Sequence, residues 1–205
     1  IINNAIDVAA YAYDLTKRQE MRQQLSVENE FTVGHVGRFN QPKNHPFLLD
    51  IFAALLKKES NAVLLLVGGG EGMSQIREKA QKLGIAEHVH FLGVRSDVAD
   101  LMQAMDVFVF PSLHEGLPVT MVEAQAAGLP CIISDKIPPE CILTEGLVDV
   151  MPLSASLEIW AEKILAKRAI PRTDRRAEIA ARGFDITTEA VKLQEFYINA
   201  YEQNC

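Results

Sequence analysis

Apolar and polar positions along this chain alternate between two rhythms. Short apolar runs occur at 31–36 (FTVGHV), 62–68 (AVLLLVG), 88–92 (HVHFL), 106–110 (DVFVF), 130–134 (PCIIS) and 147–151 (LVDVM). Runs this short, rich in Val, Ile and Phe, predict strands covered on both faces. Between them the pattern changes to the three-and-four spacing of amphipathic helices, at 45–58, 71–83, 97–104 and 119–127, with a weaker stretch near 138–145. Helical patterns continue at 156–167, 172–182 and 186–203, the last offering Val191, Leu193, Phe196, Tyr197 and Tyr201 for packing. A charged helix over 7–24 is expected ahead of the first strand. Six strands joined by crossover helices predict an α/β fold: a Rossmann-like, doubly wound parallel sheet that binds ligands beyond the carboxyl ends of its strands. The pattern divides the chain into a lead-in (1–30), the sheet domain (31–185) and a C-terminal helix (186–205).

Composition narrows the function classes. A chain of 205 residues can bury one substantial core, and 48% apolar with 23% charged residues is ordinary for a soluble globular protein. The net charge of -7 argues against a nucleic-acid partner, which calls for a basic face, but a few local cations suffice for a small anion. Cys131, Cys141 and Cys205 form neither a disulfide framework nor a metal-ligand spacing, so a reducing, cytoplasmic location is expected. No apolar run approaches the roughly 18 residues needed to span a bilayer. The opening IINNAID carries neither an initiator Met nor a signal-peptide pattern and reads as the middle of a longer protein.

Candidate chemistry concentrates in PSLHEGLPVTMVEAQAAG (111–128). A buried strand end precedes it and a helix follows, with Pro118 where a first helical turn tolerates a missing N–H. Such a turn points backbone N–H groups outward, a ready phosphate site. Glu115 lies just outside the helix and Glu123 about one turn inside it, with seven residues between them. Ionised carboxylates are pure acceptors and bind vicinal hydroxyls well. A helix end for phosphate plus two carboxylates for hydroxyls suggests a nucleotide-sugar site.

The first strand ends in Gly37-Arg38, and Lys43 follows before the next helix. Both cations are placed at the carboxyl edge of the sheet, where Arg can grip a diphosphate with two bonds and Lys acts as a point charge; a solvated loop is the competing reading. VGGGEGM (67–73) follows a strand and opens a helix but fails the G-x-G-x-x-G spacing, since Met73 stands where the last glycine belongs. It reads as a tight turn or as a close approach to a nucleotide. Val94 and Arg95 end the third strand, where backbone groups can meet a base edge, and Asp97 is expected to cap the following helix. The five histidines show no ligand spacing, and only His114, beside Glu115, stands near the candidate site. No Asp-x-Asp pair is present to hold a divalent ion against a sugar diphosphate.

These residues resemble the donor-binding domain of glycosyltransferase family 4 (group 1), the retaining glycosyltransferases of two-domain GT-B fold. The similarity runs from NNAID (3–7) through GRFNQPK (37–43), HFLG (90–93) and EGLPVTMVEAQAAGLP (115–130), with Asn4-Ala5 where the family usually has Asn-Gly. The resemblance implies that Arg38 and Lys43, beside Gly37, hold the donor diphosphate and stabilise the leaving nucleotide. It implies that Glu115 binds hydroxyls of the transferred sugar and Glu123 those of the ribose. Gly116, Leu117 and Val119 would offer backbone N–H groups to the phosphates, and Val94 and Arg95 would flank the base. No cofactor and no metal are implied, only a nucleoside-diphosphate sugar as donor. The acceptor, a glycan or glycolipid, would bind an N-terminal domain outside this chain, to which helix 186–203 would cross back. The fragment alone would then be inactive. Peripheral contact of the full protein with the inner face of the membrane is compatible with this picture. Two alternatives stay open: a GT-B-type sugar-nucleotide epimerase and a non-catalytic nucleotide-sugar-binding module.

Overall fold

All six apolar runs become strands of one parallel sheet in the computed structural model, which describes residues 3–202. These are β1 (Phe31–Val36), β2 (Ala62–Val67), β3 (Val89–Gly93), β4 (Val107–Phe110), β5 (Cys131–Ser134) and β6 (Val148–Met151), in the order β3-β2-β1-β4-β5-β6. β1 pairs with β2 from Phe31–Ala62 to Val36–Val67, and with β4 at Val33–Val107 and Gly34–Phe108. The chain winds outward from β1 to β3, then returns to lay β4 on the other side of β1. The sheet therefore has its topological switch point between β1 and β4, the place where open α/β sheets bind their ligands.

Strand alternation splits the core in two. Leu64 and Leu66 point to one face with Val33, Val107 and Val109, under α3 (His45–Leu56), α4 (Met73–Lys82) and α7 (Leu157–Ala166), where Trp160 is fully buried. Leu65 and Val67 point to the other with Phe108, Phe110 and Ile133, under α2 (Leu15–Gln24), α5 (Val98–Ala104) and α6 (Val119–Ala126). This period-two division is why the central runs are largely apolar: β1, β2, β4 and β5 are buried on both faces, whereas the edge strands β3 and β6 are only partly buried. Each such Leu or Phe contributes about 1.5–3 kcal/mol by leaving water. A third cluster joins Ile6 and Val8 to Val122, Ala126, Ile179 and Phe184, clamping α1 (Val8–Tyr11) and α8 (Arg176–Ala181) onto α6. Beside it Ile6 bridges in parallel to Asp185, with Ile6 N–H donating to Phe184 O and Ile186 N–H to Ile6 O, both at 2.9 Å.

At the opposite edge of the sheet, Asp106 accepts from Arg18, Arg22 and the Thr32 N–H, tying α2 to the start of β1 and β4. Arg172 donates to the carbonyls of Met102, Gln103, Met105 and Ala127, satisfying the carboxyl ends of α5 and α6. This edge of the sheet is stitched by cations.

Several sequence expectations shift at element ends. The helix expected over 7–24 is two helices, because Asp7 and Asp14 each cap a new start: Asp14 Oδ1 accepts from Thr16 N (2.8 Å) and Lys17 N (3.1 Å). The stretch near 138–145 holds only a 3-10 turn, Pro139–Cys141, since consecutive prolines at 138 and 139 remove donors and exclude a longer helix. The pattern at 172–182 contracts to α8, with Arg172 drawn into the carbonyl network just described. The last helix, α9 (Ile186–Glu202), follows its expected course; residue 203 and Cys205 lie outside the described residues. Its Val191, Phe196, Tyr197 and Tyr201 are exposed. Cys131 and Cys141 are buried free thiols, the first far from reactive because burial pushes its pKa up. Among the described residues no helix is long and apolar enough to cross a membrane.

Candidate functional site

Four loops leave the carboxyl edge of the sheet, and backbone hydrogen bonds lock them together. Gly37 N–H donates to Val67 O, Phe39 N–H to Gly69 O and Gly68 N–H to Gly93 O, at 2.8–2.9 Å, and Gly72 N–H to Phe39 O at 3.1 Å. The glycine run is thus a close approach of backbone to backbone. Gly68 has φ +138°, and a Cβ there would lie 2.1 Å from Gly37 O. Across the switch point the Leu113 N–H donates to Pro42 O at 2.7 Å, and Asn44 Nδ2 to Pro111 O at 3.1 Å. Asn44 sits at φ 54°, ψ 40°, a left-handed conformation that Asn tolerates better than most residues.

These ties bring the expected charged residues together. Lys43, at the end of a 3-10 turn (Gln41–Lys43) after β1, donates from Nζ to Glu115 Oε1 at 2.7 Å. Their side chains are only 17% and 12% exposed. Gly37 leaves room for the lysine stem: a Cβ there would lie 3.3 Å from Lys43 Cδ and Cε and 3.1 Å from His35 Nε2. The ammonium also stands 4.6 Å from the Phe110 ring centroid. The pair has no net charge but leaves ammonium donors of Lys43 unused, and Arg38, which is exposed, has no carboxylate partner among the described residues. Pro118 occupies the position before the first residue of α6, one earlier than the sequence reading placed it. Among the described residues the N–H groups of Gly116, Leu117 and Val119 donate to no protein acceptor, as a phosphate-binding turn requires.

Glu123 faces α1. Its Oε1 accepts from the Tyr11 hydroxyl at 2.7 Å. Burial pushes the Glu123 carboxyl up, and the tyrosine bond pulls it back down. Burial and the adjacent carboxylate both hold the Tyr11 hydroxyl above its ordinary range, so it stays a donor. Val94 is 82% exposed, packed only at its edge, where a Cβ on Gly69 would come 2.8 Å from Cγ2. The expected cap at Asp97 does not form: its carboxylate takes Arg95 Nε (2.7 Å) and Nη2 (2.5 Å) instead, and α5 begins without a side-chain cap. Arg95 thus spends its guanidinium on Asp97. His114 is exposed.

Tyr11, Asn44 and an edge-to-face histidine pair are the contributors that sequence reasoning missed. Tyr11 follows Val8 by three residues, a helical spacing that could have signalled a shared face. His35 lies buried in β1 with Nδ1 2.9 Å from Val109 O, and its ring centroid is 4.7 Å from that of His45, itself stacked on Phe39 at 4.2 Å. A carbonyl can only accept, so Nδ1 carries the proton. Burial drives His35 far down, and His45 and Lys43 press the same way; burial with Lys43 pushes His45 down to about 4. Below pH 6.5 the unfolded chain binds the His45 proton before the folded one does, so stability is lost as pH falls from about 6.5 toward 4. Urea unfolding at pH 7 and pH 5 should differ by about 2 kcal/mol from His45 alone. A His45→Gln variant should lose that part of the slope; an unchanged slope would mean that the imidazole is not held neutral.

A cavity of about 690 Å³ opens beside this constellation, between the loop after β1 and the start of α4. Arg38, Phe39, His45 and Gly70 are among its walls, whereas Lys43, Glu115 and Glu123 are not. Of the residues expected in the site, only Arg38 lines the cavity. The pair at the switch point, with loops from both sides bonded around it, is the better-built centre. Among the described residues no group of three or more His, Cys, Asp or Glu side chains is arranged to hold a metal ion.

A Rossmann-like sheet with charged loops meeting at its switch point is the architecture of GT-B glycosyltransferases, and the chain superimposes on solved members. HepE from Anabaena in complex with UDP-glucose matches with a TM-score of 0.80 at 27% identity, over 97% of this chain and 57% of that one. HepE in complex with UDP matches with a TM-score of 0.82 at 26% identity, over the same shares. The sequence profile of the glycosyl transferases group 1 matches residues 16–150, and the chain belongs to that family. A relative from Bacillus subtilis (strain 168), named as glycosyltransferase EpsF, is 37% identical over 96% of this chain and 52% of its own length. The UDP-Gal:alpha-D-GlcNAc-diphosphoundecaprenol alpha-1,3-galactosyltransferase of Escherichia coli is 28% identical over 97% of this chain and 54% of its own. The chain thus spans about half the length of the curated relatives it matches.

Proposed function

We propose that this chain is the donor-binding half of a retaining glycosyltransferase of family 4. It holds a nucleoside-diphosphate sugar, with UDP the first nucleotide to test, for transfer to a glycan or glycolipid acceptor in polysaccharide or glycolipid assembly. The observation that carries the reading is the meeting of Lys43 from the β1 loop with Glu115 from the β4 loop at the switch point. Arg38 and Lys43 grip the diphosphate, while the N–H groups of Gly116, Leu117 and Val119 at the start of α6 complete its cradle. Glu115 spends one carboxylate oxygen on Lys43 and offers the other to hydroxyls of the sugar. Glu123 takes the ribose, and the exposed Val94 with the backbone of Arg95 lines the base. As the bond to the sugar breaks, negative charge grows on the leaving diphosphate between preorganised cations and a helix N-terminus; this stabilises the transition state more than the ground state.

The acceptor site and the closure over the donor would come from a second domain, to which α9 with its exposed Phe196, Tyr197 and Tyr201 crosses. The isolated chain would then bind donor without transferring sugar, in the cytoplasm. An epimerase would need an acid–base residue beside the sugar. His114, the sequence candidate, is exposed and takes no part in the Lys43–Glu115 pair, so transfer is the better-supported reading.

Calorimetric titration with UDP, GDP, ADP and CDP in EDTA tests the assignment. One of them should bind saturably, and Arg38→Ala should weaken it by about 10- to 150-fold, the worth of a hydrogen bond to a charged group. Binding of none of the four would refute a metal-free donor site, and an unchanged affinity in the variant would remove Arg38 from it.

A further inference from the structure

We propose that Tyr11 is a positioning residue for nucleotide binding: its hydroxyl fixes Glu123 so that the free carboxylate oxygen meets the ribose hydroxyls. The inference rests on the nucleotide reading above and extends it to a residue more than a hundred positions away in the chain.

A glutamate on a helix surface samples several rotamers, and binding a diol requires only one of them. The bond from Tyr11 Oη to Glu123 Oε1, at 2.7 Å, selects that rotamer in advance. Among the described residues Oε2 has no protein partner, and a carboxylate with one oxygen committed still has acceptor sites for two hydroxyls.

The donor itself is held firmly. Asp7 Oδ1 caps α1 through the N–H groups of Ala9 and Ala10, at 3.0 and 3.2 Å, which fixes where the single turn begins. Val8, three residues before Tyr11 and so on the same side of the turn, is buried in the cluster that contains Val122 and Ala126, the α6 residues flanking Glu123. At the far end Gln103 Nε2 donates to the carbonyls of Tyr11 and Ala12, at 3.2 and 3.3 Å, while its Oε1 accepts from Asp14 N–H at 3.2 Å. These bonds fix the backbone that carries Tyr11, and among the described residues the only side chain bonded to its hydroxyl is Glu123. A tyrosine serving packing alone would not need its oxygen directed at a half-buried carboxylate on the site helix.

A ligand-deletion cycle tests this. UDP and 2′,3′-dideoxy-UDP, or the corresponding pair for whichever base binds more tightly above, are titrated into wild type, Tyr11→Phe, Glu123→Ala and the double variant. Tyr11→Phe, which should melt close to wild type, is expected to weaken UDP by about 3- to 10-fold while changing the dideoxy nucleotide by less than about twofold. In the Glu123→Ala background it should cost nothing further. Equal losses on both nucleotides would make Tyr11 a structural residue only. An unchanged UDP affinity, or a further loss on top of Glu123→Ala, would equally overturn the proposal. If no nucleoside diphosphate binds the wild type, the donor-site reading falls first. If wild type binds and Tyr11→Phe matches it on both ligands, the inference about Tyr11 falls alone.

Discussion

If the proposed function holds, sugar transfer by the complete protein should fall by about 100- to 1,000-fold in a Lys43→Ala variant, the usual consequence of removing one preorganised group that faces developing negative charge. The structure explains why so short a deletion reaches so far. Lys43 is held between Glu115 at 2.7 Å and the Phe110 ring, and its stem lies in the space left by Gly37, so the ammonium needs no reorganisation at the moment of reaction. Its removal also leaves the Glu115 carboxylate, 12% exposed, without its cation, and an unpaired anion beside the leaving diphosphate opposes the reaction further. Lys43→Arg should not restore full activity, because a planar fork does not fit a slot shaped for a point charge. The same pairing sets the sign of a companion result. Glu115→Gln releases Lys43 from its partner, so the affinity for UDP alone should hold or rise while that for the UDP-sugar falls. Steady-state kinetics with calorimetry on both ligands separates these effects; kcat within twofold of wild type in Lys43→Ala would remove the lysine from the reaction.

A Gly68→Ala substitution should destabilise the protein by about 2–4 kcal/mol, a drop in Tm of roughly 5–15 °C for a chain of this size. Two independent costs add. The φ of +138° belongs to glycine almost alone, and the new methyl would stand 2.1 Å from the Gly37 carbonyl, a contact with backbone that no rotamer can relieve. Gly84 supplies the control: its φ is +69° with nothing within 4 Å, so Gly84→Ala should cost only about 1 kcal/mol. Thermal melts of the two variants would show the difference directly. Because Gly37 immediately precedes Arg38, Gly68→Ala should weaken nucleotide binding as well as folding. Equal melting of both variants would mean that the loops after β1 and β2 are not packed as described.

The strands and their faces were readable in the chain because a sheet covered on both sides demands apolar residues at every position, as AVLLLV in β2 demonstrates. That the loops carrying Lys43 and Glu115 lie side by side was readable too, since they follow β1 and β4, and strand ends at a switch point converge whatever the loops do in detail. That Lys43 and Glu115 bond to one another was not, because the contact depends on Asn44 entering a left-handed conformation and anchoring to the Pro111 carbonyl. Asp97 shows the same limit from the other side. Its position suits a helix cap, but Arg95, two residues away, competes for the carboxylate and wins. Tyr11 lay out of reach for a different reason: the expected helix over 7–24 is two helices, and only the break after Tyr11 directs the α1 turn toward α6. Local rules located the elements, while contacts between side chains distant in sequence decided what the elements do.

The backbone ladder that runs from Gly93 through Gly68, Val67, Gly37, Gly69, Phe39 and Gly72 has a consequence for redesign. The loop after β2 is bonded to the loops on both sides of it, so exchanging it against a relative's would strip bonds from two neighbours. On the proposed donor-site reading, nucleotide preference should therefore be retuned by side chains that stand proud of the ladder, Val94 foremost, and not by transplanting loops one at a time.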